Sequence, residues 1–265
     1  MAYSKPSFCR LNQSSIYSQD IIDFVPLHEG SGKPTEVSNQ STVQGTFTGS
    51  PVWSNSVFGY GLSGSTPSVL TNFADTVAYG GSSWSIQIVF NVVSLGANYN
   101  CLFDRSTGPS GKDITCFMDA SGNISYMDIG GGAAVAGMGA NNGFVPTGFV
   151  VGGTYIFTIT YDLPSNSIKF YVNGVFIKSS TISGSNTAVS GAVLHLGGNN
   201  TGGGSASSFI YYQFAGWKKA LSASMVSKLA EDPFVMCRPR PLILKSSGVA
   251  PPAFNPAISS FFPFF

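Results

Sequence analysis

Alternation of apolar and polar residues dominates this chain, and a period of two predicts β-strands. Residues 84–92 (WSIQIVFNV) and 154–162 (TYIFTITYD) both alternate cleanly. Residues 168–177 (IKFYVNGVFI) alternate on both sides of Asn173-Gly174, a dipeptide typical of two-residue β-hairpin turns. The inward positions predict these core residues: Ile86, Ile88, Phe90, Phe157, Ile159, Ile168, Phe170 and Val172. The residues predicted to face away from the core include Gln87, Asn91 and Lys169.

Shorter segments continue the pattern on either side of these strands. Residues 99–105 (YNCLFDR) and 113–129 (DITCFMDASGNISYMDI) predict three strands, with Ala120-Ser121-Gly122 as a turn. One short helix follows near residues 222–230, with Ser222 as its N-cap, and its apolar face is predicted to cover a sheet edge. Many short strands separated by turn residues favour an all-β protein built from two sheets.

Six segments occur in a characteristic order: DIIDFVPLHEGSG (20–32), GYGLSGS (59–65), TYIFTITYD, FYVNGVFI, AVLHLGGNN and FIYYQFAGWKKALS. This order resembles the laminin-G-like, concanavalin A-like lectin/glucanase family, including members found in phage structural proteins. The resemblance implies an all-β, two-sheet antiparallel jelly-roll sandwich with one short C-terminal helix and extended terminal arms. We expect an N-terminal arm at 1–19, the sandwich at 20–235, and a Pro/Phe-rich C-terminal arm at 236–265.

Charge is scarce and evenly balanced. Charged residues make up 9% of the chain and the net charge is +1, whereas the average charged fraction is roughly 25%. Lys218-Lys219 is the only Lys/Arg doublet, so neither nucleic acid nor an anionic membrane is an expected partner. The first residues lack the apolar core of a signal peptide, which predicts synthesis in a host cytoplasm without classical secretion.

Residues for catalysis are sparse, and no catalytic site is predicted. The chain has three Glu, and no two acidic residues are spaced i, i+2 as a pair facing one cleft from a single strand would be. His28 and His195 are the two histidines, and each is interpreted as a hydrogen-bonded structural residue. We therefore expect a protein that is not an enzyme.

No cofactor is expected, with calcium as the alternative. Many relatives in the resembled family bind calcium through an Asp-rich loop after the first strand. The corresponding stretch here, 35–45, keeps Glu36 and Asn39 but has no Asp, whereas calcium needs six to eight oxygen ligands. Cys101 and Cys116 are interpreted as two small buried apolar side chains, with a disulfide between them as the alternative.

Two groups of aromatic residues are candidates for binding. Trp53, Tyr60, Tyr99 and Tyr126 lie near loops, where their rings could stack on sugar faces. The C-terminal arm combines repeated prolines with apolar residues that would dock on a partner. These docking candidates are Phe254, Ile258, Phe261, Phe262, Phe264 and Phe265.

These features favour a non-catalytic virion structural protein, such as a capsid-decoration, head-fibre or tail-associated subunit anchored by its C-terminal arm. Its expected partners are other virion subunits and further copies of itself. The alternative is a carbohydrate-binding adhesin or receptor-binding module, whose partner would be a cell-surface glycan.

Overall fold

The computed structural model describes sixteen strands, one α-helix and one 3-10 turn within the following ranges: 11–12, 14–32, 35–37, 42–47, 50–56, 58–65, 71–74, 79–97, 99–107, 111–130, 133–135, 145–183, 186–198 and 208–237. The strands are β1 (Ile21–Val25), β2 (Thr35–Val37), β3 (Thr42–Gln44), β4 (Val52–Ser56), β5 (Gly59–Ser65), β6 (Thr71–Ala74), β7 (Trp84–Ser94), β8 (Asn100–Ser106), β9 (Lys112–Met118), β10 (Ile124–Ile129), β11 (Ala133–Val135), β12 (Thr154–Asp162), β13 (Ser167–Val172), β14 (Val175–Ser183), β15 (Val193–Leu196) and β16 (Ser208–Trp217). The helix is α1 (Ala223–Glu231), and the 3-10 turn spans Val235–Cys237.

Except for β2 and β3, which pair with each other in a separate two-stranded sheet, the strands form two antiparallel layers, as the sequence pattern predicts. The first sheet runs in the order β4-β5-β16-β7-β12-β13-β14, and the second in the order β11-β10-β9-β8-β15-β6. Pairing of β14 with β11 joins the two layers along one side. Strand β1 pairs with the second half of β16, beyond the part of β16 that pairs with β5. The all-β sandwich and its single α-helix are therefore confirmed in the described residues.

The core lies between the two sheets and uses the predicted alternation. Seven of the eight predicted core residues are buried, and the eighth, Val172, is partly buried against the same cluster. Lys169, between two of them, is exposed. Phe103 of the second sheet packs against Phe214 of the first, with ring centroids 5.7 Å apart. The predicted register of the central strands is therefore correct.

The outer face of the first sheet is covered rather than exposed to solvent. Helix α1 packs Val226 and Leu229 against Ala215 and Trp217 of β16. The predicted helix is correct, but it covers the face of a sheet and not an edge. Gln87, predicted to face away from the core, is fully buried beneath this cover, where its side chain donates a 3.2 Å hydrogen bond to the Thr158 hydroxyl.

Local turn chemistry follows the sequence closely. The Ser222 hydroxyl accepts a hydrogen bond from the Met225 N–H, so Ser222 is the N-cap of α1. Asn173 and Gly174 both have positive φ, at 50° and 79°, as a primed hairpin turn requires. At the turn between β9 and β10, the Asp119 carboxylate accepts hydrogen bonds from the Ser121 and Asn123 N–H groups.

The segments that flank the sandwich pack on it where the structure describes them. The Trp217 indole N–H donates a 2.6 Å hydrogen bond to the Tyr17 carbonyl. The Asn12 N–H bonds the Met236 carbonyl at 2.8 Å, and Met236 is buried beside α1. Neither helical element in the described ranges has the length and apolar composition needed to cross a bilayer. The proposed boundaries of the two arms remain predictions.

Candidate functional site

A row of polar side chains crosses the outer face of the second sheet. Asp128 of β10 is the register partner of Thr115 on β9, and Thr115 is the partner of Asp104 on β8. Asp104 in turn lies opposite His195 on β15. Because side chains of register partners point to the same face of a sheet, these four residues share one face. Their neighbours along each strand belong to the apolar core, except Arg105, which follows Asp104 and pairs with Asp113.

Both carboxylates in this row are engaged by hydrogen-bond donors. Asp104 accepts bonds from the Thr115 hydroxyl at 2.6 Å and the Ser106 hydroxyl at 2.8 Å. Asp128 pairs with Lys112, whose Nζ lies 2.5 Å from Oδ2. Asp104 is 2% exposed, and Asp128 is also buried. Because both carboxylates are hydrogen-bonded, their side chains are held in fixed positions along the row.

Three aromatic rings lie directly beside the polar row on the same face. Tyr126 of β10 is the register partner of Phe117 on β9, with ring centroids 5.8 Å apart. Tyr99 meets Phe117 edge to face at 6.2 Å and is 39% exposed. We call Tyr99, Phe117 and Tyr126 the aromatic cluster. It combines exposed ring surface with the half-buried Lys112, whose Nζ lies 5.1 Å from the Tyr126 ring centroid.

Hydrogen bonds and charge interactions connect the aromatic cluster to the polar row. The Tyr126 hydroxyl donates to Asp128, and burial together with this negative neighbour raises the pKa of Tyr126. Burial alone would lower the pKa of Lys112, but its hydrogen bond and charge interaction with Asp128 outweigh burial and raise that pKa. Burial lowers the pKa of His195, against the opposing charge of Asp104. Lys112 is therefore a charged partner of Asp128, whereas His195 favours its neutral form.

The other two predicted sugar-stacking residues lie on the first sheet. Trp53 and Tyr60 belong to the β4–β5 hairpin, and the Trp53 indole donates a 2.9 Å hydrogen bond to the Gly32 carbonyl. Trp53 also packs against the core, which leaves its ring half-buried. Tyr60 is exposed, and its ring lies against the backbone of Gly30. The structure thus divides the four candidates into two pairs, and only Tyr99 and Tyr126 lie beside a polar row.

The spacing of acidic residues in the sequence did not predict the polar row, because the residues of the row come from separate strands. Asp104 and Asp128 share a face with one strand between them, which places their Cα atoms about 10 Å apart at ordinary strand spacing. A search for acidic residues at i, i+2 finds only pairs within one strand. Pairing the two segments 99–105 and 113–129 in antiparallel register would have brought these carboxylates together.

Metal ligands and cysteines are the remaining candidate groups. Within the described residues, no group of three or more His, Cys, Asp or Glu could hold a metal ion. The Glu36 side chain, Asn39 and the six predicted docking residues of the C-terminal arm lie outside what the structure describes. Cys101 and Cys116 are free and buried, which matches their reading as small apolar side chains. Cys237 is disulfide-bonded.

A protein-family comparison agrees with the fold. A laminin-G-like family model, described as the concanavalin A-like lectin/glucanases superfamily, matches residues 63–227, which is more than half of the chain. The match includes the aromatic cluster and the whole polar row. No match was found among curated proteins.

Solved structures show the same fold at low sequence identity. The binding domain of botulinum neurotoxin serotype C1 superposes with a TM-score of 0.61 at 11% identity, over 81% of this chain and 52% of that one. A second structure concerns botulinum neurotoxin type C, whose cell entry depends on interaction with two ganglioside molecules. It has a TM-score of 0.58 at 11% identity and covers 81% and 51% of the two chains.

An enzyme structure also contains this fold. Trypanosoma rangeli sialidase in complex with sialic acid superposes with a TM-score of 0.54 at 13% identity, over 80% of this chain and 32% of the sialidase. This chain therefore spans about half the length of the matched toxin binding domains and about a third of the sialidase. At these identities the likeness establishes the fold alone.

Proposed function

We propose that this chain, which belongs to the concanavalin A-like lectin/glucanases superfamily, is a non-catalytic module that binds a glycan through the outer face of its second sheet. The observation that carries the proposal is the aromatic cluster beside the polar row. Sugar rings have apolar faces and hydroxyl edges, so a binding site for them combines aromatic surface with a few fixed polar groups. Tyr99, Tyr126 and Lys112 are side chains of this face that solvent can reach.

The positioning of these groups supports recognition. Phe117 is buried and contacts both tyrosine rings, that of Tyr99 edge to face and that of Tyr126 at a tilted angle. The Tyr126 hydroxyl and the Lys112 ammonium are both held by Asp128, so a ligand would meet groups that are already oriented. Pre-organised groups lose less conformational entropy when they bind. Two proteins that contain this fold, the type C neurotoxin with its ganglioside interaction and the sialidase with its sialic acid complex, support a proposal of glycan binding.

The proposed module is non-catalytic because its two nearest carboxylates serve structural hydrogen bonds. Asp104 is bonded by two hydroxyls and Asp128 by an ammonium and a phenol, and both are buried. A glycoside hydrolase instead needs one carboxyl able to donate a proton and a second exposed to water or substrate. Ligands recovered after incubation should therefore be intact by mass spectrometry, and any shortened glycan would contradict this part of the proposal.

The test of the binding site is Tyr99→Ala, measured by glycan-array screening and then by calorimetry with the best ligand. Loss of one stacking ring should weaken binding about 2- to 10-fold, the range that corresponds to about 0.5–1.5 kcal/mol for an aromatic contact. The unfolding midpoint should change little, since Tyr99 is exposed and lies outside the core.

Phe176→Ala is the matched control for that experiment. Phe176 is an aromatic residue 51% exposed on β14 of the first sheet, away from the proposed site. The Phe176→Ala variant should bind glycan with the same affinity as the unmodified protein. If Tyr99→Ala and Phe176→Ala behaved identically, or if no glycan on the array bound the unmodified protein, the proposed function would be wrong.

A second proposal concerns where the module operates: we propose display on a virion, anchored by the C-terminal arm. The supporting observation is in the sequence, where five Phe occur among the last twelve residues, interrupted by proline. Such a segment is suited to docking in an extended conformation on another subunit. Mass spectrometry of purified particles should detect the chain at stoichiometric levels, and its absence from them would contradict this setting.

A further inference from the structure

Three neighbouring side chains on the proposed binding face, Lys112, Tyr126 and Asp128, share their hydrogen bonds unevenly. The Lys112 ammonium and the Tyr126 hydroxyl both donate to the same carboxylate oxygen of Asp128, Oδ2. Among the described residues, no side chain donates to the other oxygen, Oδ1. Because a carboxylate accepts hydrogen bonds through both of its oxygens, Oδ1 can still accept one from a ligand.

Lys112 also keeps one hydrogen-bonding group for a ligand. Its ammonium has three donors, of which one is directed to Asp128 at 2.5 Å and a second to the Tyr126 hydroxyl oxygen at 3.4 Å. Solvent reaches both charged groups, since 26% of the Lys112 side chain and 9% of the Asp128 side chain are exposed. A ligand on this face therefore meets one charged donor and one charged acceptor side by side.

The Tyr126 phenol holds these two groups in position. Its hydroxyl donates to Asp128 and accepts from Lys112, and its ring centroid lies 5.1 Å from Lys112 Nζ. These contacts restrain the long Lys112 side chain before any ligand arrives, which reduces the rotamer entropy lost on binding.

Two adjacent hydroxyls of a pyranose ring complement this arrangement. A hydroxyl is both a donor and an acceptor, so one hydroxyl of the pair can donate to Asp128 Oδ1 while its neighbour accepts from the Lys112 ammonium. Hydrogen bonds with a charged partner are roughly twice as strong as neutral ones. A single hydroxyl would satisfy only one of the two groups and leave the other desolvated without a partner, which costs free energy.

We propose that Lys112 and Asp128 determine the specificity of this face, and that its ligand is a glycan with two free vicinal hydroxyls on one pyranose ring. This inference rests on the proposed glycan-binding function and specifies its ligand class. The vicinal pair bridges the Lys112 ammonium and Asp128 Oδ1, while an apolar sugar face packs on Tyr99. Sugars whose vicinal hydroxyls are removed, methylated or used in linkages bind more weakly.

The test uses the methyl glycosides of glucose, galactose and mannose as competitors of the best array glycan on the full-length chain. In a methyl pyranoside the vicinal pairs are the C2–C3 and C3–C4 hydroxyls, so removal of the C3 hydroxyl destroys both pairs and removal of the C6 hydroxyl keeps them. For at least one of the three sugars, we expect the 6-deoxy form to bind within about twofold of the parent and the 3-deoxy form to bind about tenfold or more weakly, the loss typical of a charge-assisted hydrogen bond.

The outcomes separate this inference from the function on which it rests. Equal binding of each parent and its 3-deoxy form would overturn the inference and leave the glycan-binding function standing. The same conclusion would follow if no parent glycoside competed while an array glycan bound. Failure of every array glycan to bind would overturn the function itself.

Asp128→Asn tests whether this carboxylate is the cause. The carboxamide oxygen can still accept from Lys112 and Tyr126, which places the amide NH₂ group, a donor, at the position of Oδ1. The preference for the parent over the 3-deoxy glycoside should then fall by about threefold or more, whereas a merely structural role would weaken both glycosides equally. Asp162→Asn, at the end of β12 in the first sheet, should leave the preference unchanged.

Lys112→Met is a second, independent variant, because it removes the ammonium and keeps an unbranched side chain. It should lower the same preference, and Lys169→Met, at an exposed position of β13, is its matched control. The unfolding midpoint first establishes which variants are folded. An unchanged preference in a folded Asp128→Asn or Lys112→Met variant would overturn the proposal.

Discussion

At the scale of single residues, the feature that is hardest to predict from the sequence is a buried polar network that includes Asp113, Arg105 and Tyr79. The Asp113 carboxylate accepts bonds from the Tyr79 and Gly80 N–H groups at 2.9 and 3.1 Å, and it pairs with Arg105. The Tyr79 hydroxyl donates to Asp23 of β1. Because an unpaired charge is costly to bury, each member depends on the others for its satisfaction. The network links both sheets through the segment at residues 79–80.

Gly216 is required by this network, which gives a sharp prediction. A Cβ added at Gly216 would lie 1.6 Å from the Tyr79 hydroxyl oxygen and 3.3 Å from Asp23 Oδ2. Tyr79 is fully buried and packs edge to face on Trp84, so its ring has little room to move. Gly216→Ala should therefore destabilise the protein by about 1–3 kcal/mol in chemical denaturation, the usual cost of overpacking a core.

A double-mutant cycle with Tyr79→Phe separates this clash from a general intolerance of alanine at position 216. Removing the hydroxyl removes the atom nearest the new methyl group, so Gly216→Ala should cost clearly less in the Tyr79→Phe background. The single change Tyr79→Phe should itself cost about 1–3 kcal/mol, because Asp23 loses a buried donor. Equal costs of Gly216→Ala in both backgrounds would show that the clash lies elsewhere.

At the scale of elements, the sequence correctly predicts the strands, turns and caps that depend on residues close together in the chain. It does not predict which side chains become neighbours when strands distant in sequence pair. The alternation around Phe157, the Asn173-Gly174 turn and the Ser222 cap each depend on residues close in sequence, and each is found as expected. The cross-strand neighbours of Asp104 could not be predicted from the sequence in the same way. A bulge lies between Cys101 and Phe103, and bulges change which residues of a strand share a face.

The covering of the first sheet is a second example of a long-range effect. Period-two alternation correctly directs Gln87 away from the core but cannot show that α1 and the segment around Tyr17 lie over that face. The outward position is therefore buried, and it needs a polar partner in Thr158. Among the four predicted sugar-stacking residues, Tyr99 and Tyr126 both contact Phe117. This clustering is visible in the structure but not in the sequence, because Phe117 lies on a different strand from either tyrosine.

Phe170 gives the test of strand register. Its side chain is fully buried on β13, where it stacks on Phe157 with ring centroids 6.4 Å apart. Phe170→Ala should lower the free energy of unfolding by about 3–5 kcal/mol, because the apolar contacts are lost and a cavity remains. Denaturant titration followed by tryptophan fluorescence measures the change.

The adjacent exposed residue provides the control for that substitution. Lys169→Ala changes the opposite face of the same strand and should shift stability by no more than about 0.5 kcal/mol. A large effect of Lys169→Ala together with a small effect of Phe170→Ala would mean that the register in solution is offset by one residue.

At the scale of the whole molecule, the residues that the structure describes bury an extensive apolar core. The buried apolar residues run from Ile21 to Cys237 and include the cluster under α1 as well as the cluster between the sheets. With a charged fraction of 9%, the chain relies on neutral polar side chains for much of its surface. A ligand or partner of such a surface is recognised by shape and hydrogen bonding more than by long-range electrostatic attraction.

The last prediction concerns the C-terminal arm and the virion role proposed for it. Residues 249–265 contain five Phe and four Pro, and proline at this density is incompatible with a regular helix or a central strand. Exposed to water, these rings would form the kind of apolar patch that marks an interface or causes aggregation. We therefore expect most of their aromatic area to be buried on another subunit of the particle, with the extended backbone pairing to a free strand edge.

Deletion of residues 249–265 separates docking from folding. The core residues that the structure describes extend to Cys237. We expect the truncated chain to keep its unfolding midpoint and its affinity for glycan, but to be missing from purified particles when it is supplied in place of the full chain. Replacing the five Phe with Ser in the full-length chain should reproduce this loss without changing chain length, since burial of each ring contributes about 1.5–3 kcal/mol to docking. Normal occupancy of particles by either variant would refute the docking role. A truncated chain that failed to fold would instead show that the arm belongs to the core of its own subunit, which the denaturation curve detects directly.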